Sequence, residues 1–536
     1  MPTHRFSKVP SPTGAPPRRM ADALLVVVAL APIGAYVLVA AQRIGYRYEL
    51  SFFEGSTVEV TARVVQGQPL YGPPTTDFTP WPYPPMYFWL TGLLARVTGL
   101  SLFPLRLVSF AASLLVLLLI AMIVRRASGS VVSGVVAAGL YAASYRVSGA
   151  WADTARVDSL LLAFLLGAIL TGLRGSTVRR GTAVGGLLFL AFLTKQNALF
   201  VAAPVLVELL MYRRRLGIAA TATLGVGVVA STVVGDAVTD GWYSPYVVTQ
   251  LLRQPLALRW WWEFWLVDLL LPFAITIGVA LVLWRRFRPS TSGAVRSWAA
   301  RTGLDRLSPA SSTGSRPARW RIGGDALYLP ACGVGLVLAA LAGRLHAGGY
   351  ANVAMPADAA VAIGFGLVLA VALRHRARTA RLAPLVAAAL AVQFVAMALW
   401  RVHVVPTDAD RAAGDRLIAM VRALPGRVLM PTHPYYLTLA GMPAHASSIA
   451  IGDILHSRAG RSRDAMAAAL PWNLAGVSAV ILDTPGDADL FGDGLTRDFT
   501  LVRGPLLPDG VFVPVTDTPT RPSVLYVRTS ALGSSR

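Results

Sequence analysis

The sequence predicts a polytopic α-helical membrane protein with a C-terminal α/β domain outside the membrane. Three observations support this prediction. Of the 536 residues, 55% are hydrophobic and 14% are charged, whereas roughly a quarter of an ordinary soluble domain is charged. Mostly apolar runs of about 18 residues recur, long enough to cross a hydrocarbon core of about 30 Å. After about Val405 the chain becomes polar.

The elements of the membrane part follow in order. Residues 1–19 are polar, Pro-rich and basic, which predicts a disordered cytoplasmic N-terminus. The apolar run 20–41 is too long for a signal-peptide core and predicts an uncleaved first helix. Residues 42–102 then form the first outer loop, in which the amphipathic segment 84–99 predicts a juxtamembrane helix. Ten further spans are predicted at 103–124, 130–148, 158–173, 181–194, 197–212, 216–235, 265–284, 326–343, 357–373 and 382–404.

The net charge of +22 is explained by this topology. Arginines cluster between the apolar runs, as at Arg125-Arg126, and the positive-inside rule places such clusters in the cytoplasm. Segment 285–325, rich in Arg, Ser, Pro and Gly, predicts a flexible cytoplasmic loop. The expected partner of these charges is anionic membrane lipid and not nucleic acid.

Residues 20–404 therefore form a membrane domain of about eleven crossings. In residues 405–536, strand-like runs alternate with helical patterns, which is typical of a small α/β domain. An odd number of crossings places this domain on the extracytoplasmic face of the plasma membrane, opposite the N-terminus.

Acidic residues stand at the predicted outer ends of the spans. Glu54 lies in FFEGSTVEV, and Asp153 and Asp158 lie in WADTARVDSLLL. Ionisable groups at a bilayer boundary indicate function by default. A partly buried carboxylate can act as general base toward a hydroxyl, for which Glu54 is the first candidate and Glu59 a weaker one. Two alternatives stay open: Glu54 as an exposed loop carboxylate, and Asp158 as a helix N-cap.

Four cationic candidates lie at the same predicted face. Lys195, in FLAFLTKQNALF, is either a point-charge anchor for a phosphate or an ammonium that reaches out to the interface. Arg344 and His346 stand beside a Gly-Gly turn, and Arg156 lies between the two aspartates. Simpler alternatives are an ion pair for Arg156 and a helix cap for His346. The sequence contains no Cys/His cluster and no nucleotide-binding motif in a supporting context.

The loop 67–87, GQPLYGPPTTDFTPWPYPPMY, is rich in proline and aromatic residues. Proline fixes the backbone and aromatic rings favour the membrane interface. Such a loop suits a site where a lipid substrate meets a water-soluble one, with Tyr83 and Asp77 as candidate contacts. Asp77 also fits a turn former, and the rings fit an ordinary interfacial belt.

The order of these motifs resembles the GT-C superfamily of membrane glycosyltransferases. An outer-loop acid, LY…PWPYPPMYFWLTGLLARVTG…RLVSF, WADTARVDSLLLAF and GLLFLAFLTKQNAL follow one another within about residues 20–400. The pattern is most similar to the branch of the protein O-mannosyltransferases and the lipid A aminoarabinose transferase. The tail after Val405 resembles domains appended to actinobacterial members. Where the family usually has Asp-Glu, this chain has Phe53-Glu54, so Glu54 must substitute.

The resemblance implies transfer of a hexose or pentose from a polyprenyl-phosphate donor to a cell-envelope glycan, lipid or protein, on the extracytoplasmic face. Glu54 would deprotonate the acceptor, Asp153 and Asp158 would orient it, and the four cationic candidates would hold the leaving phosphate. A single displacement would invert the anomeric centre. No cofactor is implied, and a divalent metal is neither required nor excluded.

Two other function classes stay open. A secondary transporter or lipid flippase would carry charges at mid-bilayer on broken helices, often in matching halves. A non-catalytic membrane-anchored binding protein would have no need of charges converging at the outer face. The discriminating feature is whether Glu54, Asp153, Asp158, Lys195 and Arg344 line one outward cavity with a lateral opening to lipid. If they lie on separate surfaces, the enzyme interpretation fails.

Overall fold

The computed structural model describes residues 16–287, 324–346, 348–516 and 518–532. The predicted N-terminal segment and the predicted loop 285–325 lie mostly outside these ranges. Up to residue 287 the α-helices are α1 (Pro16–Ile44), α2 (Phe53–Val65), α3 (Met86–Thr98), α4 (Leu102–Ser128), α5 (Val131–Ala143), α6 (Asp158–Gly172), α7 (Val178–Thr194), α8 (Ala198–Tyr212), α9 (Arg214–Val238), α10 (Gln250–Arg253), α11 (Trp260–Glu263) and α12 (Leu271–Phe287).

The rest of the membrane part is α13 (Gly324–Arg344), α14 (Met355–Arg374) and α15 (Arg376–Leu399). Short π-helical turns at Pro245–Thr249 and Phe264–Leu270 and a 3₁₀ turn at Ala351–Ala354 connect the longer helices. In the described ranges, seven helical segments are long and apolar enough to cross a membrane. Three shorter apolar helices are α5, α6 and α8. Each of the predicted spans coincides with a helix of this bundle, and the chain is a multi-pass membrane protein.

Local chemistry sets the tight turn between α4 and α5. Gly129 ends α4 in the left-handed region (φ 79°), and its N–H donates to the carbonyl of Arg125 at 2.7 Å. Ser130 then caps α5, because its side chain accepts from the N–H of Ser133. A left-handed glycine after a helix and a serine before the next are the usual stop and start signals.

The first loop, residues 42–102, contains two helices, α2 and α3, of which the sequence located only α3 by its residues. They pack closely at Gly92, where a Cβ atom would lie 2.6 Å from the side chain of Val64. The glycine therefore lets the two helices approach.

The tail forms an α/β domain, as predicted. Its elements are α16 (Asp408–Ala423), β1 (Arg427–Leu429), α17 (Tyr435–Leu439), α18 (Ser448–Leu455), α19 (Arg461–Ala469), β2 (Val477–Leu482), a 3₁₀ turn (Pro485–Phe491), α20 (Asp493–Asp498), β3 (Phe499–Arg503), β4 (Val524–Arg528) and α21 (Thr529–Leu532). The sheet order is β1-β2-β4-β3, with β1 parallel to β2 and the other pairs antiparallel. Val480 pairs with Tyr526 in the central ladder.

The tail domain contacts the membrane domain at one end of the bundle. Arg43, at the end of α1, donates to the hydroxyl of Thr516 at 3.0 Å. Arg427 forms an ion pair with Asp77 of the first loop at 2.9 Å. The first loop and the tail domain therefore lie on the same side of the membrane helices.

Candidate active site

A polar cavity lies between the membrane domain and the tail domain. Its walls include the aromatic rings of Phe53, Trp81 and Tyr83. Its polar lining side chains include Arg156, Lys195, Gln196, Asn197, Asn352 and Asp453. The cavity is small, about 60 Å³.

Lys195 reaches this cavity because α7 ends there. It is the C-cap residue of α7, with an extended backbone (φ −160°, ψ 133°), and the next helix starts three residues later. Its Nζ lies 2.8 Å from Oδ1 of Asp158, and its side chain is about 10% exposed. The ammonium is therefore held at a helix break, below the ring of Tyr83 at 5.6 Å.

Asp158 is not itself a lining residue, but it holds two residues that are, Lys195 and Asn352. It is the first residue of α6, and the N-cap position belongs to Val157, so the N-cap alternative for Asp158 is wrong. Besides Lys195, its carboxylate accepts a hydrogen bond from Nδ2 of Asn352 at 2.9 Å. One carboxylate thus joins the start of α6, the end of α7 and the turn before α14.

Arg156 lies in a cage of aromatic rings. Its guanidinium carbon is 4.4 Å from the ring centre of Phe53, 5.2 Å from Trp151 and 5.8 Å from Tyr83. Nη2 also donates to the hydroxyl of Tyr83 at 3.3 Å. Cation–π contacts of this kind hold a guanidinium without neutralising it. Phe53, the residue that departs from the family's Asp, is therefore a wall of the cavity.

The cavity contains charges of both signs. Two cations, Arg156 and Lys195, lie beside the carboxylate of Asp158, and Asp453 contributes a second carboxylate to the lining. His346 also lines the cavity, but burial lowers its pKa to about 4, so the ring is neutral near pH 7. This corrects the expectation that His346 supplies a cation. Within the described ranges no group of three or more His, Cys, Asp or Glu is arranged to hold a metal.

Glu54 does not line the cavity. It is fully buried, and its carboxylate accepts from Arg106 Nε at 2.9 Å and Nη2 at 2.5 Å, and from the N–H groups of Leu50 (2.7 Å) and Ala155 (2.8 Å). Burial pushes its pKa upward, but the charge and hydrogen bonds of Arg106 outweigh burial and leave the pKa lowered. These contacts correct the expectation that Glu54 faces a substrate. Its role as base stays a prediction that no contact supports.

Asp153 lies in a second buried ion pair. Its Oδ2 is 3.2 Å from Nε of Arg43, and the hydroxyl of Tyr145 donates to Oδ1 at 2.8 Å. Burial raises its pKa against the opposing charge of Arg43. The two carboxylates do not face one cavity: α6 begins at Asp158, and Asp153 lies in the turns before it, paired with Arg43.

The remaining predicted residues divide between the cavity and other places. Tyr83 lines the cavity, whereas exposed Asp77 pairs with the tail domain. Arg344 lies outside the lining: it pairs with Asp268 at 2.7 Å and donates to the carbonyl of Gly349 at 2.9 Å. Glu59 is not among the lining residues either, and burial raises its pKa well above the usual range.

The sequence reasoning missed Asp453. It lies in α18, SIAIGDIL, and its side chain lines the cavity. Burial raises its pKa to about 6, against the lowering effect of Arg156 and His456. The sequence feature that could have indicated Asp453 is a single acid in SIAIGDIL, a mostly apolar segment of the polar tail.

The bundle, the first-loop helices and the appended domain together form the GT-C fold. The chain superposes on ArnT from Cupriavidus metallidurans bound to undecaprenyl phosphate with a TM-score of 0.54 and 14% identity, covering 94% of this chain and 98% of that one.

The family model for dolichyl-phosphate-mannose-protein mannosyltransferases matches residues 82–235. This segment contains Arg156, Asp158 and Lys195. Another similar structure is the oligosaccharyltransferase AglB from Archaeoglobus fulgidus with an inhibitory peptide and a dolichol-phosphate, at 13% identity, 87% and 69% coverage and a TM-score of 0.47, too low to carry a conclusion. No curated protein sequence matches the chain.

Proposed function

We propose that the protein transfers a sugar from a polyprenyl-phosphate donor to an acceptor in the cell envelope, on the extracytoplasmic face. The observation that carries the proposal is the polar cavity at one end of a membrane bundle, with Arg156 and Lys195 on its wall. The similarity to a structure that holds undecaprenyl phosphate supports this donor class.

The two cations act on the leaving group. As the bond between the anomeric carbon and the phosphate oxygen breaks, charge builds up on the phosphate, and fixed cations stabilise such charge best in a site shielded from water. Lys195 is a compact point charge and Arg156 a planar donor, which suits two different oxygens. Asp158 and the aromatic cage position them before the donor binds, and the direct displacement inverts the anomeric centre.

An apolar cavity beside the polar one suits the lipid chain of the donor. It has a volume of about 650 Å³ and is lined by first-loop residues and by α7 and α9, including Trp89, Phe189 and Leu193. Leu193, at the end of α7, lies two residues before Lys195 on the chain. A polyprenyl phosphate placed this way has its chain in the apolar cavity and its phosphate in the polar one.

The test uses purified protein with a panel of radiolabelled undecaprenyl-phosphate sugars and envelope acceptors. We expect transfer from one donor, and we expect Lys195→Met to lower kcat/KM by roughly 10²–10³-fold, as when an oxyanion donor is removed. Arg259→Met is the matched control, because Arg259 is an exposed cation outside the cavity. Equal loss in both variants would contradict the assignment of Lys195.

Lys195 also permits a binding test that does not depend on turnover. The chain has two lysines, Lys8 and Lys195, so acylation of side-chain amines can be followed at each by mass spectrometry. Undecaprenyl phosphate should protect Lys195 and leave Lys8 unchanged.

Two rival functions give different outcomes in these experiments. A flippase would move the labelled lipid across a vesicle membrane without transferring its sugar. A binding protein would show protection of Lys195 without either event. Of the five residues whose convergence was to discriminate these functions, Lys195 alone lines the polar cavity, whereas the other four (Glu54, Asp153, Asp158 and Arg344) lie in ion pairs and not in the lining. The support for the transferase is instead the grouping of Arg156, Lys195 and Asp453 at one end of the bundle.

A further inference from the structure

Asp453 enters the polar cavity from the tail domain. Its helix, α18, is capped by Ser447, whose side chain accepts from the N–H of Ile449 at 3.2 Å. Ile451 and Ile454 are fully buried and anchor the helix in the domain core. The helix is therefore fixed, with its one acid directed to the membrane domain.

The membrane domain holds the backbone of this residue in place. The carbonyl of Asp453 accepts from Nε2 of Gln250 at 3.0 Å and from Nε2 of Gln254 at 2.9 Å. Gln250 is itself fixed, because the hydroxyl of Ser462 donates to its Oε1 at 3.1 Å. These hydrogen bonds cross from one domain to the other and set the position of the carboxylate.

The carboxylate oxygens of Asp453 are available to a ligand. Among the described residues no hydrogen bond or ion pair reaches its oxygens, in contrast to those of Glu54, Asp153 and Asp158. Gly348 lies across from the carboxylate, where a Cβ atom would be in van der Waals contact, 4.0 Å from Oδ1 of Asp453 and 3.6 Å from the ring of His346. An acceptor hydroxyl can therefore reach this carboxylate without breaking an existing bond.

We propose that Asp453 is the general base that removes the proton of the acceptor hydroxyl. The inference rests on the proposed function. The acceptor oxygen forms its bond to the anomeric carbon as the proton passes to the Asp453 carboxylate. The bond between that carbon and the donor phosphate breaks, and its electron pair leaves on the phosphate beside Arg156 and Lys195. Atoms and charge balance without a metal or a co-reactant.

The electrostatic surroundings suit this role. The charged and titratable groups around Asp453 are Arg156, Lys195 and Asp158 from the membrane domain, His346 before α14, and His456 on its own helix. Burial raises the pKa of Asp453 to about 6, so the carboxylate is ionised near pH 7 and remains a stronger base than an exposed aspartate. A base with a pKa close to the working pH is the most effective one.

The experiment compares Asp453→Asn with Asp464→Asn, an exposed acid of the same domain outside the cavity lining. We expect Asp453→Asn to lower kcat by roughly 10²–10⁴-fold, the usual contribution of a general base. Binding of undecaprenyl phosphate, measured by Lys195 protection, should be unchanged. Asp453→Glu should restore part of kcat. In the wild-type protein, kcat/KM should rise with pH around pH 6 as Asp453 loses its proton, and this rise should be absent in Asp453→Asn.

The outcomes separate this inference from the proposed function. If the wild-type protein transfers no sugar from any donor, the proposed function fails. If it transfers sugar and Asp453→Asn is equally active, only the base assignment fails. If Asp453→Asn loses donor binding together with turnover, the residue positions the donor or the domain, and the base assignment is again overturned.

Discussion

Two neighbouring residues belong to two different charged regions of this protein. Phe53 forms the ring below Arg156 in the polar cavity, whereas Glu54 forms the buried ion pair with Arg106. In the ion pair both side chains are fully buried. Arg106 also donates to the carbonyls of Arg43 at 3.2 Å and Tyr48 at 2.7 Å.

The two regions differ in whether their charged groups remain available to a ligand. The Glu54–Arg106 pair satisfies its own hydrogen-bonding groups and closes the start of the first loop. The polar cavity holds two cations, Arg156 and Lys195, and the carboxylate of Asp453, whose oxygens accept no hydrogen bond from the described residues. Of the acids in these two regions, Asp453 of the tail domain is the one whose oxygens remain available within the described residues.

The largest expected effect tests the ion pair. Removing one member leaves a buried charge, which costs about 3–5 kcal/mol of the free energy of unfolding. We expect Glu54→Gln and Arg106→Met each to lose this amount, and the double variant to lose less than the sum, as for coupled residues. Thermal unfolding in detergent measures all three.

Arg47→Met is the control for this series, since its ion pair with Asp415 is exposed and such pairs contribute about 0–1 kcal/mol. The distinction between the buried ion pair and the polar cavity would be wrong if Glu54→Gln kept full stability and donor binding but lost transfer. Glu54 would then act as the base, as the sequence resemblance implies, and the two regions would not be separate in function.

The next effect concerns the contact between the domains at His433. Its Nδ1 contacts Glu49 of the first loop, and its Nε2 lies 3.1 Å from Oδ2 of Asp483. Burial opposes protonation, but the two carboxylates outweigh it and raise the pKa of His433 to about 10. This pKa exceeds the value of about 6.5 expected in the unfolded chain. The contribution of protonated His433 to the free energy of unfolding is therefore complete below about pH 6.5 and is lost as the pH rises toward 10.

We expect His433→Gln to lose about 1.5–3 kcal/mol of stability at pH 6.5, the range for hydrogen bonds to charged groups, and less at pH 9.5. Unfolding temperatures at the two pH values measure the difference. His403→Gln, at an exposed position, should keep the wild-type dependence. Equal slopes in wild type and His433→Gln would exclude this contact as the source.

Most of the fold was predictable because the sequence patterns that indicate it are long and local. The apolar runs gave the spans, and the alternation after Val405 gave the α/β domain. Helix α2 was missed because FEGSTVEVTARVV is short and mixed in polarity, so its helical form depends on packing against α3 and on the binding of Glu54 to Arg106.

The site was predictable only in part, because pairing is a property of three-dimensional contacts. Lys195 and Arg156 were found from their unusual positions in the sequence. The sequence gives no sign that Arg106, inside an apolar span, neutralises Glu54 from 52 residues away. Nor does it indicate that Asp453, far along the chain, reaches the cavity of the membrane domain.

The smallest effect tests whether the apolar cavity serves the lipid chain while the polar cavity serves the reaction. Ala230, on α9, lines the apolar cavity, and a tryptophan there would fill part of it. We expect Ala230→Trp to raise KM for an undecaprenyl-phosphate donor about tenfold, near 1.4 kcal/mol, with kcat unchanged. Val226→Trp, one turn earlier on an exposed position outside that lining, should leave both constants unchanged. A fall in kcat with an unchanged KM would mean that the two cavities do not divide the donor in this way, because the reacting atoms would then lie against α9.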